Sequence, residues 1–229
     1  MSRAVPRPRL VEAVAVPTID ELTVADTSES WREAGFDIEN DAFHVGSVRV
    51  RLAGPNAGRG IVACTMRDVT MERPDGLPLS GSTSAPRSPR TRPHANGAVG
   101  LDHLVAFSSN LERTIAALEE AGLELRRLRE EPTPAGAPRQ AFFRLADVIL
   151  EVIERPPRSR EERDPDAPAR FWGLAFLVDD LAHASHCLGD RLGEPRDAVQ
   201  PGRRIATVRR EAGLSPGVAF MTPHRQAVP

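Results

Sequence analysis

Residues 101–124, "LDHLVAFSSNLERTIAALEEAGLE", and residues 171–194, "FWGLAFLVDDLAHASHCLGDRLGE", carry one pattern twice. Aligned without gaps, they pair Leu104 with Leu174, Leu111 with Leu181 and Leu118 with Leu188. Each opens on an apolar run suited to a buried strand and then meets a polar cap. Ser109, with Glu112 three residues on, makes a capping box in the first copy; Asp179 or Asp180 caps the second. Leu111, Ile115 and Leu118, and likewise Leu181, Ala184 and Leu188, recur at helical spacing. Gly122 and Gly193 are the expected helix stops. Strand-like runs follow in both copies: "RQAFFRL" and "VILEVIE" in one, "RRIATVRRE" and "GVAFMTP" in the other. The unit is therefore a strand, a helix, then two or three strands.

A third stretch, "TIDELTVADTSESWREAGF" from Thr18, begins the same way, with Asp26 and Glu29 placed to cap a short helix. Its later strands are "FHVGSVRVRLAG" and "GRGIVACTMRDV", parted by a Pro-Asn-Ala-Gly turn. Two Pro-rich, weakly periodic stretches separate the three blocks. The expected organisation is an N-terminal arm (1–17), an N-terminal βαβββ-like unit (18–71), a flexible linker (72–98), a paired domain (99–223) with units 99–155 and 170–223, and a tail (224–229). The fold class is α+β, with two units paired into a cup-shaped sheet and a third unit before them.

The 229 residues contain 30 basic side chains, all of them arginine, against 32 acidic ones, for a net charge of −2. Without lysine there is no Schiff-base chemistry and no phosphate-loop GK[ST] motif. Acids and arginines are interspersed, so a nucleic-acid partner, which needs a basic stripe, is not expected. No apolar run approaches the roughly 20 residues that span a bilayer. "LVEAVAVP" near the start is too short and acidic for a signal-peptide core. A cytoplasmic protein is expected, consistent with Cys64 and Cys187 standing apart in no metal-finger or disulfide spacing.

The repeated βαβββ unit, the "LDHLV" opening and the "LEVIERP" closing resemble the vicinal oxygen chelate superfamily of glyoxalases, bleomycin-resistance proteins and extradiol dioxygenases. The resemblance covers 99–223 well and 18–71 more weakly. It implies two units curled into a cup around a divalent metal, Zn, Fe, Mn or Ni, held by the first and last strands of each unit. The matching positions in the middle block are His103 and Glu151. Strand parity puts His103 on one face with Leu101 and Val105, and Leu104 with Ala106 on the other. In the last block Gly173 stands where His103 does, and "GVAFMTP" offers no acid, so the implied site is incomplete. Were the first and second blocks the paired ones, Glu21, His103 and Glu151 would make a three-ligand site. The ungapped match and shorter linker favour pairing of the second and third.

Three roles stay open for His103: metal ligand, polar pocket partner of Glu151 able to act as a general base, and core histidine satisfied by a neighbour. His183 and His186 have the spacing of a helical metal pair but fall away from the leucine stripe, on a solvated face. Arg139, Arg144, Arg203 and Arg204 sit on strands that line the cup and suit a ligand carboxylate or phosphate; an arginine-rich edge is the plainer reading. Trp172 either walls a flat ligand or packs on the sheet. The functional expectation is a small molecule in a concave pocket contacted by His103, Glu151, Trp172, Arg139 and Arg203. The alternative is a metal-dependent lyase, isomerase or dioxygenase using His103 and Glu151. An extra first unit must bury its apolar face, either on the pair or on a second subunit, and the latter makes a homodimer.

Overall fold

A computed structural model describes residues 15–132, 139–154 and 164–224; most of the N-terminal arm, part of the second Pro-rich stretch and the end of the tail lie outside them. The first block forms β1 (Thr18–Val24), α1 (Ser28–Glu33), β2 (Ala42–Val45), β3 (Val48–Leu52), β4 (Ile61–Arg67) and β5 (Leu79–Gly81). The middle block forms β6 (Ala98–Ser108), α2 (Leu111–Glu120), β7 (Leu125–Arg129), β8 (Gln140–Leu145) and β9 (Val148–Glu154). The last forms β10 (Arg170–Val178), α3 (Leu181–Leu188), β11 (Arg196–Asp197), β12 (Arg204–Thr207) and β13 (Gly217–Met221).

The middle and last blocks share one eight-stranded sheet, in the order β11-β12-β13-β10-β6-β9-β8-β7. The first strand of each unit runs parallel to its last, β6 with β9 and β10 with β13, and β6 meets β10 antiparallel at the centre. Leu104 faces Leu174 across that seam, so a local twofold relates the units just as the ungapped alignment does. Both seam strands carry a β-bulge. Register slips past Asp102 on β6 and past Trp172 on β10, the two positions that the alignment equates.

The first block builds a five-stranded sheet, β2-β3-β1-β4-β5. It opens as the others do, with β1 parallel to β3. Beyond it, β4 lies antiparallel to β1 as β10 does to β6, and β5 lies parallel to β4 as β13 does to β10. The N-terminal unit is thus accompanied by an abbreviated mate, and part of that mate comes from the stretch expected as a linker. Besides β5, residues 72–98 bury Leu77, His94 and Asn96. Ser82 and Arg87 tie to the buried Asp20 carboxylate, and Arg90 makes a bridge with Gly46, so polar side chains order a stretch that has little apolar periodicity.

Helix starts differ in detail from the sequence reading. Asn110, not Ser109, caps α2 by accepting from the Arg113 amide, while the Ser109 hydroxyl donates to the Ala167 carbonyl. Thr27 caps α1, freeing Asp26 to accept from the Trp31 indole at 3.0 Å. Asp180 caps α3 as one of the two candidates, and that helix stops at Gly189, short of Gly193.

The two sheets share one continuous core. Its centre is aromatic: Trp31, Phe36 and Phe43 from the first block meet Phe176 and Phe220 from the last, with Phe36 and Phe176 ring centroids 4.9 Å apart. The middle block docks through α2, whose Arg113 and Thr114 hold the Asp75 carboxylate. The apolar face of the first unit is therefore buried within the chain itself. Among the described residues no helix is long and apolar enough to cross a membrane.

Candidate functional site

Because Val105 pairs with Glu151 and His103 with Ile149 on parallel neighbours, His103 and Glu151 are diagonal neighbours on one face of the sheet. Their side chains approach to 3.9 Å, His103 Nε2 to Glu151 Oε2. They line a cavity of about 310 Å³ enclosed by the curled sheet, whose walls include Gln140 and Phe142 on β8, Ile205 and Met221 from the other unit, and the 196–200 turn. That is the size and composition of a small-molecule site. A wider hollow of about 560 Å³ at Asp37, Glu39 and 89–92 is an open surface feature whose carboxylate Asp37 is already paired with Arg90.

The bulge on β6 brings Asp102 to the cup side, where its carboxylate lies 2.8 Å from His103 Nδ1 and is also held by the buried Arg203. Burial alone pushes the Asp102 carboxyl up, but hydrogen bonds from His103 and Arg203 more than reverse this and hold it below the usual carboxylate range. An ionised Asp102 accepts only, so Nδ1 carries the proton. In the neutral imidazole, Nε2 then presents its lone pair to the cavity and to Glu151.

Glu151 behaves oppositely. Burial pushes its carboxyl up, and the opposing pull of His103 and the Gln140 amide does not cancel it. The carboxyl sits across from Phe142 and accepts from Gln140 Nε2. Gln140 Oε1 is buried without a hydrogen-bond partner. The floor of the cup thus combines a basic nitrogen, a carboxyl biased towards its neutral form and an unsatisfied acceptor. Such a set exchanges protons with, or hydrogen-bonds to, one polar end of a ligand.

The floor positions matching His103 and Glu151 in the other half are bare. The register that pairs Val105 with Glu151 pairs Ala175 with Ala219, so Gly173 and Ala219 stand where His103 and Glu151 do. A Cβ on Gly173 would come within 2.5 Å of the Gly217 carbonyl, so close strand approach there requires glycine.

The remaining sequence candidates go elsewhere. Blocks two and three are the pair, so Glu21 does not join His103 and Glu151; it lies on the five-stranded sheet, bound by Arg49 and Arg51. Arg139 is bound by Glu112 and Glu130 outside the cavity, and Arg203 supports Asp102 instead of reaching the cavity. Arg144 and Arg204 donate to backbone carbonyls. Trp172 lies over Gly217 and beside Phe107, at 5.2 Å between centroids, and is not a wall of the cavity. His183 and His186 are exposed, with His183 against the Ala95 carbonyl. Asp102, Gln140, Arg129 and Arg196 are not legible as site residues: the first is off-face in a regular strand, Gln140 opens an apolar strand whose face is set by its neighbours, and the two arginines sit on the polar edge strands β7 and β11.

Among the described residues, no three His, Cys, Asp or Glu side chains gather as metal ligands. Allowing an amide oxygen, His103 Nε2, Glu151 and Gln140 Oε1 are the donors that would hold a metal, a set that fits one in kind.

No protein-family model matches the chain, and no curated protein matches it in sequence. Among solved structures, a xylose isomerase-like TIM barrel/4-hydroxyphenylpyruvate dioxygenase fusion protein superposes with a TM-score of 0.59 at 12% identity, over 95% of this chain and 50% of that one. Methylmalonyl-CoA epimerase from Mycobacterium tuberculosis matches with a TM-score of 0.45 at 18% identity, over 56% of this chain and 89% of that one. The Streptomyces coelicolor methylmalonyl-CoA epimerase in complex with 2-nitronate-propionyl-CoA gives 0.45 at 18% identity, over 58% and 99%. The first of these takes in both sheets. With paired units about a local twofold, this chain has the vicinal oxygen chelate fold, as one full cup and one abbreviated one.

Proposed function

We propose that the cup binds a small organic molecule whose polar end meets His103, Gln140 and Glu151. The observation that carries this reading is the unsatisfied Gln140 Oε1, buried beside a carboxyl biased towards neutrality and at the edge of a cavity large enough for a ligand. Buried polar atoms are rarely left unpaired, so a partner from a ligand completes the site. Asp102 fixes the imidazole so that Nε2 accepts, and Glu151 in its neutral form donates. A ligand hydroxyl between them, donating to Nε2 and accepting from Glu151 when that carboxyl is protonated, is therefore both held and polarised.

A second reading is favoured by the 3.9 Å spacing of His103 Nε2 and Glu151 Oε2. Here His103, Glu151 and Gln140 hold one divalent ion, Zn, Fe, Mn or Ni, and the chain is a lyase, isomerase or dioxygenase. A bound ion supplies Lewis acidity towards a ligand oxygen. This chain's own contribution is to orient His103 through Asp102 and Arg203 and to keep the ligand against Phe142.

Metal analysis of protein purified without a histidine tag, together with a fragment screen in the presence and absence of chelator, separates the two. Fragment binding that survives the chelator and is lost in H103A and E151Q supports the binder. Stoichiometric metal lost in H103A supports the enzyme. Neither metal nor fragment binding at the cup contradicts both.

A further inference from the structure

The rim of the cup carries an arginine at the same place in each half. Along one cross-strand row Arg129 faces Gln140, which faces Ile153; along another Arg196 faces Ile205, which faces Met221. Equating Glu151 with Ala219 equates Ile153 with Met221, so the rows are twofold mates, and Arg129 matches Arg196 as Gln140 matches Ile205. The floor positions differ between the halves, His103 matching Gly173, Glu151 matching Ala219 and Gln140 matching Ile205, while each arginine is followed by an acid, Glu130 or Asp197. The arginine recurs.

Both arginines line the cavity. Among the described residues, neither has a carboxylate within ion-pair distance, whereas the cup-strand arginines Arg139 and Arg203 are each committed to acids. Glu151, on the floor, accepts from Gln140 and feels the Arg129 charge without an ion-pair contact, and Asp197 beside Arg196 is an exposed rim residue. Arg129 is half-buried and Arg196 exposed at the mouth, and a guanidinium suits an oxyanion, which two of its N–H groups grip at once.

We infer that the small molecule carries an oxyanion, a carboxylate or a phosphate, clamped between Arg129 and Arg196 at the mouth, with its remaining polar end on His103, Gln140 and Glu151. This rests on the cup being the ligand site and adds the charge class of the ligand.

The test is a titration of isotope-labelled protein by NMR with three probes: malonate, inorganic phosphate and neutral malonamide. At least one anion is expected to shift residues 129, 140, 196 and 205, with affinity about tenfold weaker in R129Q or R196Q, the loss of one charge-assisted contact. R129K retains part of the affinity, and D197N, which removes a rim negative charge, tightens binding. Tighter malonate than phosphate identifies a carboxylate ligand, and the reverse identifies a phosphate. The inference is overturned if neither anion binds, if malonamide binds as well as malonate, or if folded R129Q and R196Q bind the anions as the unaltered protein does. Neutral fragments that still occupy the cavity would then leave the ligand site standing without its anion clamp.

Discussion

Asp102 and His103 are neighbours in sequence and still hydrogen-bond side chain to side chain, Oδ2 to Nδ1 at 2.8 Å. In a regular strand they would point to opposite faces. The bulge at Asp102 is what turns both to the cup and lets Arg203 reach the carboxylate from the other unit. One local irregularity thus orients the imidazole and ties the two halves together.

Replacing Asp102 with Asn therefore costs more than one hydrogen bond. Arg203, with 5% of its side chain exposed, is left as an uncompensated buried cation. Breaking such a pair costs about 3–5 kcal/mol. Urea unfolding of D102N is expected to show a loss of this size, while D102N combined with R203M recovers much of it.

Glu151 gives a pH signature. Its carboxyl is raised by burial above the ordinary value of 4.5, so the neutral form is the better-tolerated one in the folded protein. Its favourable contribution is fully present below the unfolded value and is lost as pH rises through the folded one. The stability of the unaltered protein relative to E151Q should fall as pH is raised from about 4 and level off once the folded carboxyl has ionised. A difference that stays flat, or grows with pH, would contradict the assignment; denaturant melts at a series of pH values measure it.

The bare floor positions of the other half cannot be refilled by one substitution. Gly173→His would restore the twofold mate of His103, but any Cβ there meets the Gly217 carbonyl. G173A alone is expected to lose at least about 1–3 kcal/mol, the usual cost of overpacking, by the same unfolding assay. A neutral result would mean that the two strands separate easily.

The aromatic junction carries the packing of the first sheet on the second. Trp31 is fully buried, contacts Phe36, Phe43 and Phe176, and donates to Asp26. W31A is expected to cost about 3–5 kcal/mol. W31F retains most of the stability, because the ring contacts outweigh the single hydrogen bond.

Much of this architecture is legible in the residues because it is local and repeated. The leucines of α2 and α3 show their period within ten positions, and the ungapped match of Leu104 with Leu174 predicts the central antiparallel seam. Alternation along β6 groups His103 with Leu101 and Val105, but the bulge at Asp102 sends Leu101 into the core with Leu104 and leaves His103 at the cavity. What escapes sequence reading depends on partners far along the chain. Arg129 sits in "LRRLR", a polar edge strand with no fully buried side chain to mark its pairing. Residues 79–81 look like linker until β4 supplies their hydrogen bonds. Glu21 follows the β1 register shift at Asp20 as His103 follows the one at Asp102, so it holds the matching place in the abbreviated cup, where Arg49 and Arg51 neutralise it.

The central claim is that His103, Gln140 and Glu151 form the floor of a ligand site. A crystal structure of the protein with its tightest-binding fragment tests it most directly. The account predicts the fragment inside the cup, with a polar atom in hydrogen-bond contact with Glu151 or Gln140 Oε1 and another facing His103 Nε2. A fragment seated outside the cup, in the open hollow at Asp37 and Arg90 or elsewhere on the surface, with the cup side chains unchanged, would contradict it.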